Sequence, residues 1–300
     1  MGKPRIAVIG AGLMGHGIAW RFAAAGHAVT VQDPHAPAIE ALPRRIEEIC
    51  AFLVRDAAIA ARVTGTLDLA AAVADADVVI EAAPERLAIK QEIFTQLERC
   101  ALRGTILCSN TSVIPISEIA AKVTDKSRIL GTHFWNPPHL VPLVEVVSMG
   151  SDNRPAAERI AALLHEVGWH PVFVNRDIAG FIGNRLQHAL KREAIALVAA
   201  GVCDAETVDD VVKLGFGARL AVLGPLEQSD MVGLDLTKAI HDVLLPDLDV
   251  TPHAHPYLDA LITKGETGMK AGKGFRTWTP ETAEAVRERL RAFLAGMKNS

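Results

Sequence analysis

The chain has 300 residues, half of them hydrophobic but only 5% aromatic, which favours about two domains of a helix-rich α/β protein over an all-β one. A chain of this length can bury large cores. Its formal net charge is −4 with no basic block, so nucleic acid is not an expected partner, and no run of about 20 uninterrupted apolar residues calls for a transmembrane helix.

Arg5–Ile9 reads as a buried strand and Leu13–Ala25 as a helix ending at Gly26. Lys3 and Arg5 ahead of an apolar run have the look of a signal peptide. The run is nevertheless spaced by Gly10, Gly12 and Gly15 and broken by His16 and Arg21, so strand–turn–helix is the better reading. Ala28–Gln32 is a second strand, stopped by Asp33-Pro34, and Ala38–Val63 is helical in bias with breaks. Strands follow at Ala76–Glu81, Thr105–Ser109, Ile129–His133, Leu143–Ser148 and His170–Val174. Helices separate them at Arg86–Cys100, Ile116–Val123 and Pro155–Val167. Strands alternating with helices predict a Rossmann-type, doubly wound sheet.

From about Ile178 only helical periodicity remains, over Phe181–Ala200, Ala205–Leu214, Gly224–Leu245, His255–Thr263 and Pro280–Met297. The expected organisation is an NAD-binding domain over 1–177 and an all-α domain over 178–300. The turn residues Asn175, Asp177 and Gly180 mark the join. Leu245–Pro256, with three prolines, reads as an exposed loop.

Cys50, Cys100, Cys108 and Cys203 form no Cys-x-x-Cys pair, so neither a zinc site nor a disulfide framework is expected, and a reducing cytoplasm is the simplest home. His253-x-His255 lacks a third ligand at suitable spacing, even with His139 or His241 considered. No metal is expected.

Gly10-Ala11-Gly12-Leu13-Met14-Gly15 is a weak signal alone, but it follows an apolar strand and opens a helix. Gly10 allows the tight turn, Gly12 lets backbone approach a pyrophosphate, and Gly15 permits close helix–strand packing. The helix N-terminus offers free amides to the phosphates. Asp33 ends the second strand, 23 residues after Gly10, where a carboxylate accepts from ribose hydroxyls and repels a 2′-phosphate. The next residues are Pro34 and His35 rather than an arginine pair. These features favour NAD over NADP.

A second constellation lies in His133-Phe134-Trp135-Asn136-Pro137, with Glu145 twelve residues after the histidine in Leu143-Val144-Glu145-Val146-Val147. If the intervening loop folds one strand back beside the other, Glu145 binds one nitrogen of His133 and orients it as a general base. A glutamate in so apolar a run needs a partner, since burying it unpaired is costly. Spacing alone leaves open a satisfied core histidine and an edge-strand carboxylate.

Nearly the whole chain, from Gly10 to Phe275, resembles the L-3-hydroxyacyl-CoA dehydrogenase superfamily, which includes gulonate and carnitine dehydrogenases and a lens crystallin. The motifs are the glycine loop, Glu81-Ala82-Ala83-Pro84-Glu85 with Lys90, and Ser109-Asn110-Thr111-Ser112. They continue with the His133 segment and Glu145, Gly180-Phe181-Ile182-Gly183-Asn184-Arg185, and Gly224-Pro225-Leu226-Glu227. The resemblance implies that His133 removes the proton of a substrate 3-hydroxyl and Glu145 orients it. Ser112 and Asn184 would position the reacting oxygen, and Asn136 would support them. For NAD it implies Gly10, Gly12, Leu13, Met14, Gly15, Asp33, Ala83, Glu85, Lys90, Asn110, Ser112 and Lys270, with Glu85 and Lys90 lining the nicotinamide–ribose part. It also implies a homodimer through the helical domain.

The superfamily acts on acyl-CoA thioesters, as in fatty acid metabolism, or on small free 3-hydroxy carboxylates. The CoA branch usually carries a lysine-rich helical hairpin after the second strand. Ala41–Leu67 here is short, with Arg44, Arg45, Arg55 and Arg62 but no lysine. Arg219, in Leu214-Gly215-Phe216-Gly217-Ala218-Arg219-Leu220, looks like the arginine with which the free-acid branch holds a carboxylate, and Asn136-Pro137-Pro138 leans toward the gulonate type. The alternative is that Arg219 pairs with Asp209, Asp210 or Glu227. The expected substrate is a small 3-hydroxy carboxylate ahead of an acyl-CoA. A non-catalytic, crystallin-like role fits poorly with an intact Ser112, His133, Glu145 and Asn184 set.

Overall fold

Short runs of β-branched and aliphatic residues build the centre of the first half of the chain. In this computed structural model, which describes residues 2–296, they form one eight-stranded sheet. The strands are β1 (Ile6–Ile9), β2 (Val29–Gln32), β3 (Val63–Thr66), β4 (Val78–Glu81), β5 (Ile106–Ser109), β6 (Ile129–Phe134), β7 (Leu143–Val147) and β8 (His170–Val174). Their order is β3-β2-β1-β4-β5-β6-β7-β8, parallel throughout except for the antiparallel β6–β7 pair. The strand order reverses at β1, and the loops after β1 and β4 open at that crevice, where doubly wound sheets bind ligands.

The alternation of side chains along a strand divides the core in two. Val8 and Ile80 face one way. Ile18 and Phe22 of α1 (Leu13–Ala24), Ile46 of α3 (Leu42–Phe52) and Ile160 and Leu164 of α7 (Arg154–Glu166) pack in the same cluster. Ala7, Val79 and Leu107 face the other way, with Val73 of α4 (Leu69–Val73), Phe94 and Leu97 of α5 (Leu87–Cys100) and Ile116 of α6 (Ile116–Ile119). Covering both faces is what a parallel sheet requires.

The strand β3 was not expected. The helical bias over 38–63 resolves into α2 (Ala36–Glu40), α3 and a 3-10 turn at Ala57–Arg62, after which the chain extends along β2. Val63 and Thr64 suit an edge strand. At Gly65 the sheet meets the Ile39 side chain, where an added Cβ would lie 2.6 Å from Ile39 Cγ2.

The chain divides into two compact units, one holding the residues up to Arg185 with a short piece beginning at Phe293, the other Leu186–Ala292. The first unit runs past the join expected near 177. Asp177 accepts the amides of Ile116 and Ser117 at 2.9 and 2.7 Å, and Phe181 is fully buried, so both are anchored to the sheet domain.

The remaining helices are α8 (Gly183–Ala199), α9 (Ala205–Leu214), α10 (Pro225–Val232), α11 (Leu234–Leu244), α12 (Pro256–Thr263) and α13 (Pro280–Gly296). The single helix expected over Gly224–Leu245 is broken at Gly233, whose φ of +100° ends α10. The last residue of the expected Pro280–Met297 helix lies outside the described residues. Among the described residues of the second unit, only Leu261 and Ala283 are buried apolar side chains, while Leu214, Val222, Leu226, Leu234 and Val243 are exposed. Among the described residues no helix is long and apolar enough to cross a membrane.

Gly131 of β6 has no room for a side chain, since a Cβ there would lie 2.8 Å from Ile116 Cδ1 and 2.9 Å from Val147 Cβ. Gly131→Ala is expected to destabilise the first unit by about 1–3 kcal/mol through overpacking. Urea unfolding checks this, and an unchanged midpoint would show that the strand relaxes freely.

Candidate active site

The glycine loop is shaped by steric exclusion. Gly10 has φ +106°, and a Cβ on it would sit 2.6 Å from the Ala82 carbonyl oxygen; one on Gly15 would run into the Gly10 carbonyl. Nothing lies within 4 Å of a Cβ position on Gly12, so that face of the loop is open. Helix α1 has no side-chain cap and no acidic residue in its first turn. Its leading amides and the positive end of its dipole are therefore available to an anion. Asp33, at the end of β2, accepts the Ala11 amide at 2.9 Å through one oxygen and the His35 amide at 2.9 Å through the other. It ties the loop to β2 and keeps lone pairs for a ribose. Two contributors were not anticipated: Arg45 Nη1 donates to the Ala11 carbonyl and His16 Nδ1 bonds the Gly12 carbonyl, both at 2.7 Å.

A buried charge network joins the ends of β4 and β5. Lys90 Nζ of α5 donates to Glu81 Oε1 at 2.8 Å and the Ala83 carbonyl at 3.3 Å, and lies 3.3 Å from Glu85 Oε2. Glu81 also accepts from Ser109 Oγ at 2.6 Å and the Ala83 amide at 2.7 Å. Lys90 is 1% exposed, so its ammonium is enclosed by this network and meets the site through Ala83 and Glu85. Glu85 gathers the following turn: one oxygen accepts Thr111 Oγ1 at 2.6 Å and the amides of Ser112 and Val113 at 2.9 and 3.2 Å. Burial opposes its charge. The Thr111 hydroxyl, the Lys90 ammonium and the two amides outweigh burial and hold the Glu85 carboxyl below the usual range.

His133 and Glu145 are register partners across the antiparallel β6–β7 pair. His133 Nδ1 lies 2.7 Å from Glu145 Oε2, and the two residues are 4% and 1% exposed. The other Glu145 oxygen accepts the amides of Ile182 and Gly183 at 2.9 and 3.0 Å. Burial alone would raise the Glu145 carboxyl. The His133 hydrogen bond and the Gly183 and Ile182 amides prevail and hold it below the usual carboxylate range. A carboxylate on Nδ1 fixes that nitrogen as the donor and leaves Nε2 as the lone-pair nitrogen.

Asn184 donates to the Ser112 carbonyl at 2.8 Å, so these two expected residues meet beside the pair. The Ser112 hydroxyl makes no hydrogen bond among the described residues. Asn110 is buried and accepts the Phe134 amide at 2.9 Å, fixing the end of β6. Leu13 and Met14 form the first turn of α1. Asn136 is exposed and gives no hydrogen bond to the cluster among the described residues, so the structure does not bring it in.

In the second unit, Arg219 ends a 3-10 turn at Phe216–Arg219 and Lys270 sits in another at Met269–Ala271. The carboxylates that competed for Arg219 are engaged elsewhere. Asp209 pairs with Arg276 at 3.2 Å, Asp210 with Lys213 at 2.7 Å, and Glu227 accepts the Gly224 amide at 3.2 Å. Among the described residues Arg219 has no ion pair, and no three His, Cys, Asp or Glu side chains group as metal ligands.

Residues 5–178 match the NAD binding domain of 3-hydroxyacyl-CoA dehydrogenase, and residues 180–278 match its C-terminal domain. The chain belongs to the 3-hydroxyacyl-CoA dehydrogenase family. Its cofactor is NAD, which the open Gly12 face, the uncapped α1 N-terminus and Asp33 fit. Among family members, it is 36% identical to 5-formyl-3-hydroxy-2-methylpyridine 4-carboxylate 5-dehydrogenase of Mesorhizobium japonicum, over 97% of this chain and 96% of that one. A solved structure of an enzyme of that activity, described as an NAD+ dependent dismutase, superposes with a TM-score of 0.90 at 33% identity, covering 98% of this chain and 97% of that one. A probable 3-hydroxybutyryl-CoA dehydrogenase of Bacillus subtilis is 37% identical over 93% of this chain and 99% of its own.

Because the folded protein holds the Glu145 carboxyl below its unfolded value, the resulting stabilisation is present above the ordinary carboxylate range. It is lost as pH falls through the lowered folded value. The stability advantage of the wild type over Glu145→Gln is expected near pH 7 and should narrow below about pH 4. Thermal melts across pH 3–8 check this, and an advantage that stays constant would mean that Glu145 is not charged in the fold.

Proposed function

We propose that this family member oxidises a hydroxyl on a small substrate bearing a free carboxylate, a 3-hydroxy acid or a related compound, with His133 as general base. The observation that carries the proton-transfer part is the buried 2.7 Å bond from His133 Nδ1 to Glu145. Held there, the imidazole offers Nε2 to a substrate hydroxyl, and Glu145 stabilises the imidazolium that forms. Ser112 and Asn184 orient the reacting oxygen. When bound, NAD supplies the hydride acceptor. The glycine loop, Asp33, Ala83, Glu85 and Asn110 would hold it, with Lys90 acting behind Glu85.

Two observations favour a carboxylate over a thioester. Arg219 is left without a carboxylate partner, which suits a bidentate anion contact. Of the four hairpin arginines, Arg45 is spent on the Ala11 carbonyl and Arg44 lies 3.6 Å from Glu48, which leaves two, Arg55 and Arg62, for nucleotide phosphates. A pyridine carboxylate is the named substrate of the Mesorhizobium relative. The exposed aliphatic side chains of the second unit suit a homodimer interface. Four unpaired cysteines suit a reducing cytoplasm.

The test is NADH formation at alkaline pH with two panels. One holds 3-hydroxybutyryl-CoA and longer acyl-CoAs. The other holds 3-hydroxybutyrate, carnitine, gulonate and 5-formyl-3-hydroxy-2-methylpyridine 4-carboxylate, whose formyl carbon carries an oxidisable hydroxyl once it has added water. Turnover is expected in the second, with His133→Gln about 10²–10⁴-fold slower and Arg219→Met raising KM. Turnover confined to thioesters, or an Arg219→Met enzyme with unchanged kinetics, would overturn the carboxylate assignment. Sedimentation equilibrium should give twice the chain mass, and a monomer at micromolar concentration would refute the dimer.

A further inference from the structure

We propose that Gly183 is a positioning residue for the His133–Glu145 pair, acting through the indole of Trp135. The proposal rests on the reading of that pair as the proton-transfer machinery, but its test does not require turnover.

The His133 imidazole has two aromatic neighbours. Trp135 lies 5.2 Å away between centroids, tilted by 51°, and Phe181 lies 5.8 Å away, tilted by 52°. Gly183 touches Glu145 of the pair and the indole beside His133. Its amide is one of the two donors on Glu145 Oε1. Its bare Cα is the surface against which the indole lies: a Cβ there would be 3.4 Å from Trp135 Cε2, 3.0 Å from Cη2, and closer still to Cζ2. Any side chain at 183 must push away either the indole or the first turn of α8.

Two further features show that the contact is built by shape. Trp135 Nε1 is buried with no hydrogen-bond partner among the described residues, so its own donor does not hold the indole in place. Phe181 has φ +49°, a conformation that bulky residues rarely adopt, and it is fully buried. That turn places the Phe181 ring near His133 while the next two amides reach Glu145.

The amides favour the charged Glu145 carboxylate and so lower its affinity for a proton. Displacing the first turn of α8 removes them and raises that affinity. The experiment follows the His133 imidazole by NMR through a pH titration in full-length protein, the resonance being assigned by its absence in His133→Gln. In Gly183→Ala the titration midpoint should rise by about one pH unit, a tenfold change in proton affinity. Trp135→Leu should shift it in the same direction by loosening the wall. The double variant should return toward the wild type, because the alanine methyl then fills space the indole has left. NADH affinity should stay unchanged in all three.

Unchanged midpoints in the single variants, or shifts that merely add in the double, would overturn the proposal. If Gly183→Ala does not fold, Trp135→Leu alone decides it. Midpoints that move as expected while His133→Gln keeps full turnover would sink the catalytic reading and leave this positioning role standing.

Discussion

The bond between His133 and Glu145 is the constraint on which the rest of the site depends. Two parts of the fold are bent to make it. The sheet reverses polarity once, at β6–β7, and that reversal puts the two residues opposite each other. A buried carboxylate is costly unless its lone pairs are used. The second oxygen is therefore met by two amides where the chain turns out of the sheet domain at Phe181. The start of α8 is thus not only a connection into the helical unit. It supplies half of the solvation that keeps Glu145 charged in a water-poor place.

The same logic recurs at the cofactor end. Buried Glu81 and Lys90 and the exposed Glu85 form a set of charges in which every carboxylate oxygen has a donor, and its effect is to hold the Ala83 and Thr111–Val113 backbone beside the glycine loop. Both networks use carboxylates to fasten backbone amides. Removing one member of such a set is far more damaging than its absence from an apolar core would be.

Much of this was legible in the sequence. The glycine spacing, the carboxylate 23 residues on, and a histidine and a glutamate in apolar runs each have a local physical meaning, and seven of the eight strands announce themselves as short apolar runs. The β3 edge strand was not legible, because Val63-Thr64-Gly65-Thr66 is short and half-exposed and follows a helical stretch. The break at Gly233 was hidden because a lone glycine inside an apolar periodic run does not declare a positive φ. Neither Arg45 nor the Ile182 and Gly183 amides could be found from residue type. A guanidinium reaching a carbonyl 34 positions away, or a backbone donor, leaves no mark in a one-letter string. The exposed Asn136 is the converse case, a motif residue that the structure leaves outside the cluster.

The way β6 meets β7 also shapes how such an enzyme can diverge. Register in a sheet has a period of two, so a slip of one residue would set Thr132 or Phe134 opposite Glu145 and break the His133–Glu145 bond. The segment joining the strands, residues 135–142, carries a looser demand: Trp135 lies beside His133 and Pro138 and Leu140 are buried, while Asn136 and Pro142 are exposed. Exchange is therefore cheapest at exposed loop positions such as Asn136 and Pro142, while the two flanking strands tolerate no slip.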